Sequence, residues 1–268
     1  MQQRDSAICL RTSDYSETSQ VVHLLGRASG VLRLLAKGAK RNKSSTGGAI
    51  DLMSEGDLVY IPGRAESLGT LVEFTETHSH SALRTDAARL NTGLYMIELA
   101  GALLAEADPH PEVFDLLHNA LARLGEPDAP PPAVLAWFQW RTLHHAGLLG
   151  DLTACAACGR HVGPASRGVC FSSSGGGLIC SACAAGAADS AGAADSAGLT
   201  GLPEKLRLDH AALAGLDALA AVAAGRKTSL PDNQAHAVNR VLAYHVANQL
   251  GKPLKMARYA IAEAGKKI

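Results

Sequence analysis

Aromatic side chains are scarce. Four Phe, five Tyr and two Trp make up 4% of the 268 residues, and the first 80 hold only Tyr15, Tyr60 and Phe74. A recognition surface resting mainly on ring stacking is therefore not expected there. An excess of either charge is missing too, since Lys plus Arg and Asp plus Glu both number 25. No global field draws the chain to nucleic acid or to a membrane, so any polyanion surface has to be local. No apolar run reaches the roughly 18 to 20 residues that span a bilayer; the best stretch, Leu94 to Ala105, is short and carries Glu98. The opening Met-Gln-Gln-Arg-Asp-Ser lacks the basic start and apolar core of a signal peptide. A cytoplasmic protein is expected, with no membrane partner and with thiols kept reduced, which argues against a disulfide framework. Absent as well are a P-loop, GxGxxG, HExxH and a nucleophile elbow, so no enzyme and no catalytic residue is expected.

What is present changes its period along the chain. Up to about residue 80 the pattern is short strands: Ser6 to Arg11, Gln20 to Arg27, Val31 to Gly38, Glu55 to Pro62 and Thr70 to Thr77. In the last of these Val72 and Phe74 alternate with Glu73 and Thr75, a period of two with one wet face. Five strands with turn signals between them predict a small OB-like barrel over 1–80. From about residue 83 the spacing becomes three and four, with Leu90, Leu94, Ile97 and Gly101 on one predicted helix face. A second helix carries Val113, Leu116, Leu117, Ala120, Leu121 and Leu124, and "GEPDAPPPA" at 125–133 marks a bend. A third runs from Val134 to Ala146, the first part of a helical domain over 81–151. The hexapeptide "AGAADS" occurs twice, at 185–190 and 191–196, and reads as a flexible linker over 186–204. Helices resume over 205–268: His210 to Ala224, then Leu230 to Leu250 with Ser229 as N-cap and Gly251 as stop, then a short basic helix from Leu254. The fold class is thus α+β and multidomain, a five-stranded barrel followed by helices.

Four of the six cysteines form two CxxC pairs, Cys155 with Cys158 and Cys180 with Cys183, within a module over 152–185. Such pairs sit on tight turns, and two facing turns supply four sulfurs about 2.3 Å from one tetrahedral zinc ion. Four thiolates close the coordination shell and no carboxylate base lies nearby, so one structural Zn2+ is favoured over a catalytic metal. A zinc-thiolate redox switch stays open, because such thiolates oxidise. Cys170, between the pairs, and Cys9, in the first strand, read as buried spare thiols. His78 with His80 and His144 with His145 lack metal spacing and read as solvated or packed.

The densest local charge runs from residue 27 to 43, where Arg27, Arg33, Lys37, Lys40, Arg41 and Lys43 occur with no acid among them. With Leu32, Leu34 and Ala36 facing the core, Arg33 and Lys37 share the outer face of the third strand. Arg33, Lys37, Lys40, Arg41 and Lys43 then form a strip able to track a phosphate backbone.

Four stretches carry a family resemblance: "DYSETSQVVHLLGRASGVLRLLAKGAKRNKS" at 14–44, "FQWRTLHHAGLLGDLTACAACGR" at 138–160, "FSSSGGGLICSAC" at 171–183 and "LGKPLKMARY" at 250–259. In this order they resemble the bacterial recombination mediator family RecO over nearly the full length. The resemblance implies an N-terminal OB domain and a helical domain with an inserted zinc module, its ligands at Cys155, Cys158, Cys180 and Cys183. It implies a non-enzymatic DNA repair and recombination role: binding single- and double-stranded DNA, annealing complementary strands and helping load RecA, in a protein acting at the nucleoid. RecR and the C-terminal tail of single-stranded DNA-binding protein are the implied partners. Two other classes remain open on the residues alone, a zinc-dependent nucleic-acid hydrolase and a redox-controlled chaperone or adaptor.

Overall fold

Residues 1–78 build β1 (Gln3–Asp14), β2 (Gln20–Gly26), β3 (Gly30–Ala36), β4 (Glu55–Ile61) and β5 (Gly69–His78). The computed structural model describes residues 1–41, 44–64, 67–190 and 204–261. The strands close into a barrel in the order β1-β2-β3-β5-β4, antiparallel throughout except where β3 meets β5. That is the expected five-stranded, OB-like closure. Alternate side chains fill it, among them Ala7, Cys9, Val22, Leu24, Leu34, Leu58, Tyr60, Leu71 and Phe74. Burial pushes the Cys9 thiol up to about 12, so it is an inert part of this core.

Strict alternation fails in β5. Leu71 and Phe74 are buried and Val72 is only half-buried, so Val72 does not share the core face with Phe74. The register shifts there: Val59 pairs with Glu73 but Tyr60 pairs with Leu71, leaving one extra residue in β5. A bulge of this kind turns every later side chain to the opposite face.

A 3-10 turn at Ser81–Thr85 leads into α1 (Ala87–Leu103), capped by the Asp86 carboxylate, which accepts from the Arg89 amide. The buried residues of α1 are Thr92, Gly93, Tyr95, Met96, Ile97, Leu99 and Ala100; of the expected face Ile97 is buried, Leu90 and Leu94 are half-buried and Gly101 is exposed. The helix is apolar almost all round, so spacing alone could not fix its inward face. α2 (Pro111–Leu124) buries Val113, Phe114, Leu117, Ala120, Leu121 and Leu124, with Leu116 half-buried beside them. Both helices pack on β1, and the chain divides after Ala129 into units of Met1–Ala129 and Pro130–Ile268.

In the second unit α3 (Pro131–His145) starts inside the proline stretch rather than after it. Proline is well suited to a first helical turn, where its missing N–H has no partner to lose. β6 (Cys170–Ser172) and β7 (Gly177–Ile179) precede α4 (Ser181–Ser190); β8 (Lys205–Arg207) completes a small sheet in the order β7-β6-β8. The first "AGAADS" copy thus ends α4, and the second lies outside the described residues. α5 (His210–Ala223) and α6 (Asp232–Leu250) follow, then the short α7 (Ala257–Ala260). Pro231, not Ser229, is the N-cap of α6. A proline disfavours the helical region in the residue before it, which keeps Leu230 out of the helix. Gly251 ends α6 at φ 70°, as expected. α3 and α5 both pack on α6, where a buried Gln139 amide donates to Asn239 at 2.8 Å and Asn239 donates to the Pro132 carbonyl at 2.9 Å. No helix of the described residues is long and apolar enough to cross a membrane.

Candidate nucleic-acid interface and metal centre

The cationic residues lie on β1 and β3, to either side of β2, and in the segment that follows β3. Arg33 is exposed, and across the strands His23 pairs with it in register on one side and with Arg11 on the other. Three adjacent strands therefore present Arg11, His23 and Arg33 in a row. Burial first, then the charges of Arg11 and Arg33, hold the His23 imidazole below its ordinary value, with Glu106 opposing. Lys37, Lys40 and Arg41 follow directly after β3 and are exposed; Lys43 lies outside the described residues. The Lys40 amide donates to the Thr18 carbonyl in the β1–β2 connection, and its ammonium pairs with Asp14 at 2.5 Å. That connection also carries Tyr15, 63% exposed, whereas Tyr60 and Phe74 are buried in the barrel. One ring out of three is thus available for stacking.

The sequence did not reveal the acid that partners this strip. The segment between α1 and α2 runs along the free part of β3: Val31 bridges Glu106, and the Ala107 amide donates to the Val31 carbonyl at 3.0 Å. Gly30 permits the approach, since a Cβ there would stand 2.3 Å from the Asp108 carbonyl oxygen. Glu106 Oε1 consequently lies 3.4 Å from Arg33 Nη1. Arg11 and His23 were also missed, because only register reveals cross-strand neighbours.

The four CxxC sulfurs come together in the second unit. Among the described residues, Cys155, Cys158, Cys180 and Cys183 are the one group of His, Cys, Asp or Glu whose ligand atoms all lie within 4.8 Å of one another. Cys155 and Cys158 sit on a turn closed by the Gly159 amide donating to the Cys155 carbonyl at 2.8 Å, with Gly159 at φ 70°. Cys180 and Cys183 sit at the start of α4. The two turns are joined where Cys155 bridges Leu178 and the Cys180 amide donates to Cys155 Sγ at 3.3 Å. Cys158 and Cys180 sulfurs are 3.9 Å apart, close to the separation of about 3.8 Å that tetrahedral bonds of 2.3 Å impose. Burial opposes ionisation of Cys155, but the amides of Cys180, Ala157 and Cys158 outweigh it and bring the thiol down to about 6. The Cys183 amide likewise lowers Cys180, while the sulfurs of Cys158 and Cys180 push Cys183 up to about 12. Amides aimed at sulfur and mutual repulsion among four sulfurs are the donor chemistry that a divalent cation satisfies. Cys170 stands half-buried on β6, outside this group.

Two family profiles match the chain: recombination protein O N terminal over residues 1–79 and recombination protein O C terminal over residues 84–258. Among curated proteins, the chain is 30% identical over 264 residues to a DNA repair protein RecO of Myxococcus xanthus, covering 97% of each. It is 32% identical over 258 residues to a protein of that name from an Anaeromyxobacter species (strain Fw109-5), covering 95% of this chain and 93% of the relative. A third, from Anaeromyxobacter dehalogenans (strain 2CP-C), is 36% identical over 183 residues, 68% of this chain and 70% of the relative.

Proposed function

Since the chain belongs to the recombination protein O family of DNA repair proteins, we propose that it is a non-enzymatic mediator that binds single- and double-stranded DNA and anneals complementary strands. The observation that carries this reading is the row Arg11, His23 and Arg33 across β1, β2 and β3, continued by Lys37, Lys40 and Arg41, on a closed OB-like barrel, a fold that binds nucleic acid on its β2–β3 face. Arg33, Lys37, Lys40, Arg41 and Lys43 contact phosphates, and Arg11 and His23 extend the row across β1 and β2. With Tyr15 as the single exposed ring, binding is mostly electrostatic, tolerant of sequence and steeply weakened by salt. DNA competes with Glu106 for Arg33 and with Asp14 for Lys40.

Zinc is the proposed ion at Cys155, Cys158, Cys180 and Cys183, where it would brace the two turns. Four sulfurs complete a tetrahedral shell, which disfavours a hydrolase needing an open position for water. By the family relation, the single-stranded DNA-binding protein and RecR are proposed partners, with RecA loaded downstream at the nucleoid. The test is annealing of complementary oligonucleotides coated with single-stranded DNA-binding protein. Acceleration that depends on Lys37 and Arg41 is expected; no acceleration, with no mobility shift of bare oligonucleotides at low salt, would refute the reading.

A further inference from the structure

His78 and His80, expected to be solvated or packed, gather around a buried carboxylate instead. Glu55 opens β4 with its side chain only 9% exposed. Its Oε2 lies 2.8 Å from His118 Nδ1, 3.7 Å from His80 Nε2 and 4.0 Å from His78 Nδ1. His78 ends β5 and pairs in register with Glu55, His80 is the N-cap of the 3-10 turn that follows, and His118 comes from α2, 63 residues beyond Glu55. The rings pack on one another, His78 with His80 at 6.0 Å between centroids and His78 with His118 at 5.8 Å.

One atom in this group is anomalous. The His80 side chain is only 8% exposed, and its Nε2 has no hydrogen-bond partner, since 3.7 Å to Glu55 is beyond hydrogen-bond reach. Leaving a buried polar nitrogen unpartnered is costly, and such atoms call for a specific explanation. The nitrogen faces a carboxylate at a distance that fits two ligands sharing an ion. With metal bonds of 2.0 to 2.1 Å, ligand atoms around a tetrahedral centre lie about 3.3 to 3.4 Å apart. The separations of Glu55 Oε2 from the three histidines, 2.8, 3.7 and 4.0 Å, fall on either side of that value. The imidazole nitrogens are less tightly drawn together than the four sulfurs. No three of these four residues hold ligand atoms all within 4.8 Å of one another, so sharing an ion takes rotation of both His78 and His118, whose side chains are 57% and 35% exposed, toward Glu55 and His80.

We propose that Glu55, His78, His80 and His118 form a second metal site, taking a divalent transition ion of the zinc, nickel or cobalt class. Three imidazoles and one carboxylate suit these borderline ions and not magnesium or calcium, which prefer oxygen. The position gives the ion a mechanical consequence: it ties α2 to the ends of β4 and β5.

The test is titration of the full-length protein, its cysteine site loaded with zinc, with Co2+ followed by absorption and by metal analysis. A second ion per chain is expected, with the weak visible bands of a nitrogen and oxygen site and without sulfur-to-cobalt charge transfer. His118→Gln and the exposed His78→Ala should each weaken that ion at least about tenfold, the scale on which removing a metal-site partner acts, while the zinc content at the cysteines stays unchanged. His80→Gln should abolish it; if that variant misfolds, His78→Ala still decides the matter. The proposal is overturned if the wild-type chain takes up no ion beyond the cysteine site at micromolar Co2+, or if the second ion is held equally by His78→Ala and His118→Gln.

Discussion

Inside the barrel, Leu24, Leu34, Leu58, Tyr60, Leu71 and Phe74 meet in one continuous apolar cluster. Between residues 152 and 183 the buried apolar side chains other than cysteine are only Leu152, Val162, Val169, Phe171 and Leu178. The first region holds its shape by burial, at roughly 1.5 to 3 kcal/mol for each large side chain. The second has little to bury, and its strands are three residues long, so the ion proposed at the four sulfurs would supply bracing that the core does not. The barrel thereby carries its charges outside its core, whereas in the module the proposed metal ligands are part of the fold itself. Charges on the barrel are therefore expected to be replaceable without unfolding it, and the module's cysteines are not.

The sharpest way to break this contrast is to deny the module its proposed metal. Zinc binding to small structural sites is worth on the order of 10 kcal/mol. Chelation, or Cys180→Ser, should therefore loosen the module, seen as a new low-temperature unfolding transition and fast thiol labelling. Survival of the single transition after chelation would show that packing suffices there. Next in size is the barrel core: Leu58→Ala should cost about 2 to 5 kcal/mol by denaturant unfolding and leave metal content unchanged. A matching loss of zinc would mean that the two regions are not energetically separate.

Surface charge comes third. Lys37→Glu with Arg41→Glu should weaken DNA binding strongly at low salt and lower the salt-dependence slope by about 0.7 for each single-strand phosphate no longer neutralised. Stability should stay within about 0.5 kcal/mol of wild type; a larger fall would tie the strip to the fold. Glu106→Gln tests the counter-charge. Freed of its partner, Arg33 should bind DNA more tightly by about 0.2 to 1 kcal/mol, the worth of an exposed pair. Unchanged affinity would place Arg33 outside the DNA interface.

The same contrast explains what could be read from the sequence. The five strands were legible because each pairs an alternating pattern with a turn, and the cysteines because metal geometry dictates local spacing. Val72 was misplaced because a bulge is a property of two strands, and no single strand displays it. The inward face of α1 was blurred because apolar residues surround the helix. Ser229 was a reasonable cap overridden by Pro231. Whatever depends on long-range contact stayed hidden: Glu106 beside Arg33, Arg11 across from His23, and His118 beside Glu55. Lys43 was legible as a cation in the basic run, but lies outside the described residues.

Two histidines sharpen the comparison on the smallest scale. Both His23, on the barrel surface, and His245, in α6, have proton affinities lowered chiefly by burial. For His245 the neutral ring is held by Ser173 Oγ and the Leu148 carbonyl, each at 2.9 Å, tying α6 to the module. The folded state binds its proton less readily than the unfolded chain, so its contribution to stability is complete above about pH 6.5 and is lost as pH falls from there through the lowered folded-state range. Replacing it by Gln should flatten this acid loss in Tm measured from neutral to acidic pH. His23 obeys the same sign for folding, but Arg11 and Arg33 beside it add a second dependence. Phosphates placed over the row would offset the two guanidinium charges and favour the imidazolium. DNA affinity should then rise as pH falls through the histidine range, and His23→Gln should remove that rise without altering binding at neutral pH. Were the acid enhancement to persist in His23→Gln, the phosphate backbone would not cross β2, and the DNA interface would be confined to the residues after β3.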